Sequence, residues 1–413
     1  MNDKKGYNIK NHRILMLGFR PPNWSNLGED ALVRQSMVKL AAYFSNNTEF
    51  VFAFPEYYDI TPLQLAYPNY KFTVLSTWVQ NRPIRILAKV FIYWPKLVFS
   101  RFDFIFDIRE GDRFSDIYSL KSFLLDSLPI AVRLIMKRNQ KLIYLPITIG
   151  PFVSNISIKL AQILLDRAEA VFLRDGLSAL EMEKYSKLKP VCVTDLAFEH
   201  PYDSKQCTNN EKIKIGINAS GLCASYKASS SYDNMDIGDY DTLIKRIIIE
   251  FQQKNNIEVH LIPHVIVRDS EFVNIPDNDW TYCEKLKDEF PSLILPDKFS
   301  SEYSAKSYIA SMDFFIGSRM HATIAAVSTG VPTIPIGYSI KFNGLYEQLG
   351  YGDYVIDLRY ERNVDIVAGR VFNYYQNRAE LKEKTLAANR KARELLGVFD
   401  KEFGVLLDRL LNE

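Results

Sequence analysis

Short, uniformly apolar runs recur along the chain, and each is separated from the next by a stretch with helical period; few folds accept that alternation. Runs such as RILMLG at 13–18 and DFIFDI at 103–108 have no polar face, so they read as strands buried on both sides. Parallel strands of that kind need helices in their crossovers, and the chain therefore reads as α/β. Further strands are expected at 50–54, 142–150, 170–173 and 191–194, with helices between them, for example at 30–43 and 157–167. At 203–212 the text DSKQCTNNEK is polar and aperiodic, and a fresh strand, IKIGIN, opens at 213. The alternation resumes with strands at 259–263, 313–317 and 332–336, and 376–413 is a long charged helical tail. With 413 residues there is chain enough for two domains. The expectation is two doubly wound Rossmann-like domains facing a cleft: an N-terminal α/β domain over 1–205, a C-terminal one over 206–375, and the helical tail 376–413.

Charge and cysteine usage exclude several classes. Lys and Arg number 51 against 49 Asp and Glu, a net charge of +2, too small for the field of a dedicated nucleic-acid binder. Cys192, Cys207, Cys223 and Cys283 lack C-x-x-C spacing, and the opening MNDKKGYNIKNHR has no apolar signal region, so the expected compartment is the cytoplasm. The best candidate for a membrane span, 84–99, is broken by Arg85, Lys89, Pro95 and Lys96. Between 60 and 102 there is no acidic residue, while Lys71, Arg82, Arg85, Lys89, Lys96 and Arg101 alternate with Trp78, Phe91, Tyr93, Trp94 and Phe99. Such a basic aromatic face suits either an anionic membrane surface, through 82–101, or a solvated helix.

Ligands of open α/β sheets lie beyond the carboxyl ends of the strands, so the residues there are the candidates. They are Asn26, Gly28 and Glu29 after the first strand, Gly111 and Asp112 after 103–108, and Arg174-Asp175 after 170–173. In the second half they are Asn218-Ala219-Ser220-Gly221, His264 and the run Gly317-Ser318-Arg319-Met320-His321. In DFFIGSRMHATIAAVSTGVP a strand enters a helix near His321 and Gly330 with Pro332 ends it, which puts Arg319 and His321 at a helix N-terminus suited to an anion. An ion-paired arginine and an interior histidine account for the same residue types. Arg174 likewise fits either an interior ion pair or an anion ligand, and Asp175 with Ser178 reads as a cap. His260 and His264 are four apart, but Pro263 and the strand exclude the helical zinc arrangement, and no metal site is expected. G-x-G-x-x-G, G-x-x-x-x-G-K-[ST] and G-x-S-x-G are all absent.

In order along the chain stand Asn26-x-Gly28-Glu29-x-Ala31, Ile149-Gly150-Pro151, Arg174-Asp175-x-x-Ser178, Asp195, Ile262-Pro263-His264 and Gly317-x-Arg319-x-His321-Ala322. They continue through Gly330-Val331-Pro332, Tyr338, Lys341 and Leu349-Gly350. With these motifs the chain resembles the polysaccharide pyruvyl transferases. The resemblance implies a fold similar to the GT-B glycosyltransferases and transfer of pyruvate from phosphoenolpyruvate (PEP) onto two sugar hydroxyls as a cyclic ketal. It also implies a cell-surface polysaccharide such as capsule or exopolysaccharide as the product, often built on a lipid-linked precursor. Two departures fall in the N-terminal, acceptor-side half: Arg20-Pro21-Pro22-Asn23-Trp24 lacks the usual glycines ahead of Asn26, and a common Gly-Gly-Ser is here Glu110-Gly111-Asp112.

A trianionic donor needs cationic clamps and a proton donor. The expected roles are His321 as general acid or base and Arg319 and Arg174 as carboxylate and phosphate ligands. His264, Lys341, Ser318, Ser220, Asn26, Gly28, Glu29, Gly111 and Asp112 are expected to contact substrate. PEP is a donor substrate, no cofactor is called for, and the acceptor is a sugar, polyprenyl-linked at the inner face of the plasma membrane in one version. A GT-B nucleotide-sugar glycosyltransferase and a non-catalytic binder of anionic glycans are the rival readings, because a helix N-terminus with an arginine receives a diphosphate equally well.

Overall fold

The computed structural model describes residues 11–20, 26–54, 59–76, 87–117, 119–137, 139–204, 212–225, 237–267 and 277–413. Arg82, Arg85, Trp78, Cys207 and most of the polar stretch 203–212 lie outside them. By its contacts the chain divides into two units. Of the described residues, the first takes 11–20, 32–196 and 395–413, and the second takes 26–31 and 197–394.

In the first unit the strands are β1 (Arg13–Leu17), β2 (Glu49–Ala53), β3 (Lys71–Leu75), β4 (Phe104–Asp107), β5 (Lys141–Ile147), β6 (Ala170–Leu173) and β7 (Val191–Cys192). They form one sheet in the order β3-β2-β1-β4-β5-β6-β7, and every pair is parallel. Its helices are α1 (Leu27–Ala41), α2 (Thr61–Ala66), α3 (Trp94–Phe99), α4 (Leu120–Met136), α5 (Asn155–Leu165) and α6 (Gly176–Glu183), with the first residues of α1 belonging to the second unit. Right-handed crossovers put α1 and α2 on one face; the chain reverses direction between β3 and β4, so α3, α4 and α5 cover the other. Beneath α1 lies an aromatic layer in which Phe44 meets Phe104 at 5.3 Å and Phe106 at 6.0 Å.

The second unit has β8 (Ile213–Asn218), β9 (Ile257–Leu261), β10 (Phe314–Gly317), β11 (Thr333–Gly337) and β12 (Ile356–Asp357) in the order β12-β11-β10-β8-β9, again all parallel. Its helices are α7 (Gly221–Ser225), α8 (Tyr240–Gln252), α9 (Asp279–Glu289), α10 (Glu302–Ile309), α11 (Met320–Thr329), α12 (Ile340–Gln348) and α13 (Val364–Gln376). The tail is one 35-residue helix, α14 (Arg378–Asn412). Its start packs in the second unit, where Asn389 donates to the Ser328 carbonyl at 2.8 Å. Its end belongs to the first, where Phe399 lies 4.9 Å from Phe172 and Lys39 pairs with Asp400 at 2.6 Å.

The fold class is the expected α/β, and the differences are local. β3 has no counterpart among the expected strands; as a sheet-edge strand, KFTVL alternates rather than running apolar. The strand expected over 142–150 stops at Ile147, since Gly150 turns with φ 65° ahead of Pro151. α1 begins at Leu27, three residues before the apolar periodicity suggests, because the Asn26 side chain accepts from the Gly28 N–H at 3.1 Å.

Arg133 holds one layer together. Fully buried on α4, it donates to the carbonyls of Leu97, Val98 and Ser100 at 2.8, 3.1 and 2.7 Å and to Gln140 at 2.7 Å. A cation thereby closes the C-terminal end of α3, where orphan carbonyls and the helix dipole favour it. Burial pulls its pKa down to about 10, still charged at neutral pH. Arg133→Met strands those carbonyls and should lower the unfolding free energy by about 2–4 kcal/mol, read from urea transitions by circular dichroism, while Arg133→Lys should recover part of the loss.

Candidate functional site

Each unit carries part of the candidate set, and each part is built at the carboxyl ends of its strands. In the second unit, β8 ends in Asn218, whose Nδ2 donates to the Ile262 carbonyl at 2.8 Å and whose Oδ1 accepts from the Arg319 N–H at 2.8 Å. The side chain thus locks the loops after β8, β9 and β10 to one another. Beside it, Tyr240 Oη accepts from the Ser220 N–H at 2.9 Å and donates to Ser318 Oγ at 2.8 Å.

Asp279, the first residue of α9, is the centre of this part. It is wholly buried. One carboxylate oxygen accepts from the Gly221 N–H at 2.9 Å and Arg319 Nη2 at 2.7 Å, the other from the N–H groups of His264 and Val265 at 3.1 and 3.0 Å. Arg319 Nε approaches both oxygens, at 3.1 and 3.2 Å, and Nη2 also meets Asp277 at 2.5 Å. Burial opposes the charged guanidinium, yet Asp279 and Asp277 outweigh it and hold the Arg319 pKa well above its ordinary value. Among the described residues no hydrogen bond engages Nη1 of Arg319, so one edge of the fork is left over once the aspartates have taken Nε and Nη2.

His321 occupies the first turn of α11, just after Arg319 at the N-cap. Gly28 of α1 lies against its ring: a Cβ on residue 28 falls 2.3 Å from His321 Nδ1, so only glycine fits there. Asn26 bridges Val265, Leu27 N–H donates to the His264 carbonyl at 3.1 Å, and Asn26 Nδ2 donates to Glu29 at 2.9 Å. The motif around Gly28 and the motif around His321 are therefore two sides of one structure. His264 is buried beside them, and burial, with the His321 and Arg319 charges adding to it, pulls its pKa down to about 3, so it is a neutral imidazole. Lys341 opens α12, its Nζ 5.8 Å from the Tyr338 ring.

In the first unit Arg174 is fully buried, with Nε donating to Thr148 Oγ1 at 2.9 Å and Nη1 to Asp195 at 2.7 Å. Thr148 donates in turn to Asp175, which caps α6 by accepting from the Ser178 N–H at 2.7 Å. Gly111 abuts this arginine, since a Cβ there falls 2.9 Å from Nη1, and Asp112 ends the same turn. That turn is strained: Arg109 and Glu110 have φ of 41° and 52°. Asp107 holds Arg109 at 2.7 Å, and Arg20 and Arg113 both hold Glu110 at 2.9 Å. A cavity of about 260 Å³ opens where β1 and β4 diverge, lined by Arg20, Phe54, Tyr93, Glu110, Arg113 and Asp126 among others.

Asn26, Gly28, Glu29, Ser220, His264, Ser318, Arg319, His321 and Lys341 thus fall in the second unit, and Gly111, Asp112 and Arg174 in the first. Asp279 and Tyr240 go unmarked as site residues in the sequence, and Asn218 stands there only as one polar residue after a strand; Asn278-Asp279 reads as an ordinary helix start, and nothing local links it to Arg319. No group of three or more His, Cys, Asp or Glu among the described residues is placed to hold a metal ion.

Solved structures share the fold at low identity. HepE of Anabaena, in complex with UDP and glucose, is 10% identical with a TM-score of 0.54, covering 97% of this chain and 100% of its own. MnaA of S. aureus, in a co-structure with UDP, is 8% identical with a TM-score of 0.57, covering 96% and 97%. A Listeria monocytogenes structure described as a UDP-N-acetylglucosamine 2-epimerase reaches a TM-score of 0.59 at 8% identity, covering 96% and 97%. These likenesses establish a GT-B type of fold and nothing finer. No curated protein matches the chain by sequence. A model of the polysaccharide pyruvyl transferase family matches residues 26–340, from the helix that carries Gly28 to the start of the helix that carries Lys341. Three quarters of the chain fall within that match, and the protein belongs to the polysaccharide pyruvyl transferase family, as a transferase.

Proposed function

We propose that this transferase moves pyruvate from PEP onto two hydroxyls of a sugar, forming a cyclic ketal on a cell-surface polysaccharide or its polyprenyl-linked precursor at the inner face of the plasma membrane. One observation carries the reading: His321 stands at a helix N-terminus next to an arginine whose Nη1 is uncommitted and beside the neutral His264. An anion is favoured there by the dipole and the guanidinium, and a proton carrier is within the same turn.

His321 delivers a proton to the methylene carbon of PEP, making the adjacent carbon electrophilic. One sugar hydroxyl adds there and yields its proton, phosphate departs, and the second hydroxyl closes the ketal with loss of the second proton. Arg319 holds carboxylate or phosphate through Nη1 while Asp279 fixes its plane. Arg174 is an anion-ligand candidate of the first unit in this scheme; in the second unit Ser220, Ser318, His264 and Lys341 line the donor, and Asn26, Gly28 and Glu29 support His321. The first unit, with Gly111, Asp112 and the cavity beside Glu110, receives the sugar. PEP is consumed as a substrate, and no step calls for a cofactor. A nucleotide-sugar reading has the UDP-bound fold relatives in its favour. Phosphate release from PEP with a panel of nitrophenyl sugars, run against UDP-sugar consumption, separates the two; turnover of UDP-sugar alone overturns the PEP reading.

His321→Ala should lose at least about a hundredfold in turnover while PEP still binds by calorimetry, because proton delivery acts only on the way to the transition state. Wild-type turnover in that variant would make the histidine structural. Arg319→Lys should raise the Michaelis constant for PEP, since one ammonium cannot hold two aspartates and still present a second edge. His264 predicts a pH effect on stability. Unfolded, it takes a proton near 6.5; folded, it resists until about 3, so stability is lost as pH falls between those values. His264→Gln should flatten the fall in unfolding free energy from pH 7 to 5, taken from urea transitions, by up to about 1.4 kcal/mol per pH unit, and an unchanged slope would show that His264 is not a neutral buried group.

A further inference from the structure

We propose that the outer face of α3, the turn before it and α4 is a docking surface for an anionic lipid bilayer. The segment 89–99 runs alongside α4: Lys89 pairs with Asp126 at 2.8 Å, Trp94 donates to the Leu125 carbonyl at 3.1 Å, and Arg133 clamps the end of α3. Both turn buried stripes toward the sheet, with Tyr93, Leu97 and Val98 on one and Phe123, Ile130 and Leu134 on the other. Their remaining faces consequently share the outside of one layer.

A helix facing water carries charge there. Here Phe91, Phe99 and Met136 are 72%, 64% and 58% exposed, and Ile92, Val132 and Ile135 stand among them, also exposed. Single exposed hydrophobes need no explanation, whereas six in one layer mark a surface that something covers.

Charge selects the occupant. No acidic residue lies between 60 and 102, and Asp126 of the layer is already neutralised by Lys89. Lys96, Arg101 and Lys121 form an exposed basic margin. Against a second copy of this chain in a two-fold contact that margin meets its own sign, but lipid phosphates satisfy it while the apolar side chains enter the acyl boundary. Among the described residues no helix is long and apolar enough to cross a membrane, so the contact is one of surface attachment. Lys89, Tyr93, Leu97, Ser122 and Asp126 of this layer line the 260 Å³ cavity, which places the cavity beside the attached face. Only the purpose of the attachment, bringing that cavity to a lipid-linked acceptor, rests on the proposed function; the attachment itself does not.

The full chain is floated with vesicles of phosphatidylcholine alone and of phosphatidylcholine with phosphatidylglycerol. Binding is expected to the anionic vesicles, to weaken with salt, and to fall at least about tenfold in a Phe91→Ser, Phe99→Ser, Met136→Ser variant and in a separate Lys96→Glu, Arg101→Glu, Lys121→Glu variant. Thermal unfolding checks that both variants are folded, and turnover of a water-soluble acceptor should be unchanged in them. No binding by the wild type, or binding unaffected in folded variants, overturns the proposal, as does a dimer in ultracentrifugation that the serine variant dissociates without any vesicle binding. Vesicle binding without PEP turnover leaves the docking face standing and removes the pyruvyl transfer reading.

Discussion

The Asp279 carboxylate is where the second unit's chemistry is organised. Three loops end around it, after β8, β9 and β10, and each places polar groups inside: the Gly221, His264 and Val265 amides and the Arg319 guanidinium. Buried amides and a buried cation are costly without a partner, and one fully desolvated carboxylate satisfies all of them. The pair is unlike a surface salt bridge, because removing either member leaves a charge stranded in the interior, a loss of about 3–5 kcal/mol in comparable cases. What the arrangement secures is a direction. With Nε and Nη2 fixed, the plane of the Arg319 guanidinium is set before any ligand arrives, and His321 two residues on is set with it.

A second constraint acts from the other side of His321. Gly28 leaves no room for a side chain where the imidazole lies, so the first turn of α1 and the first turn of α11 define the ring position together. Residues 28 and 321 are far apart in sequence, and the contact supplies a physical reason for a glycine at the one and a ring at the other. An alanine at 28 cannot be accommodated without displacing the ring, which sits within the second unit's own framework rather than on a movable surface.

How much of this was legible depends on whether the signal was local. Strand after strand was readable because residues such as Ile14–Leu17 and Phe104–Phe106 are buried on both faces and therefore apolar without interruption. β3 was not readable, since an edge strand keeps Lys71 and Thr73 for water and ion pairs; Thr73 donates to Glu49 at 2.7 Å. Arg319 and His321 were legible from type and place alone, a cation and a titratable ring directly after a buried strand. Asp279 was invisible for the opposite reason: an acidic residue in a first helical turn is ordinary, and its bond to an arginine forty residues on has no sequence mark. Arg174 stayed ambiguous in the sequence for good cause, since the pairing with Asp195 and a place in an anion site use the same group.

The turn after β4 joins the sequence departure to the backbone. In that turn this chain has Glu110-Gly111-Asp112 in place of the Gly-Gly-Ser that the resemblance implies, and the structure gives Glu110 a φ of 52°, in the left-handed region that glycine enters freely and glutamate does not. A glycine would hold that conformation at little cost, and here a glutamate holds it. Four contacts hold it: Gly18 approaches so closely that a Cβ would fall 2.5 Å from the Arg109 nitrogen, Arg109 is pinned by Asp107, and Glu110 itself is gripped by Arg20 and by Arg113. Such a conformation costs about 1–3 kcal/mol and persists because its surroundings over-determine it. Glu110 lines the cavity at the β1/β4 divergence between two arginines, so backbone ease is given up where a carboxylate stands on the wall of that cavity. Sugar hydroxyls are hydrogen-bond donors that a carboxylate accepts well, and a glycine offers them no side chain at all. Glu110 therefore sets the chemistry of that cavity wall in the first unit, while the frame around Arg319 and His321 belongs to the second.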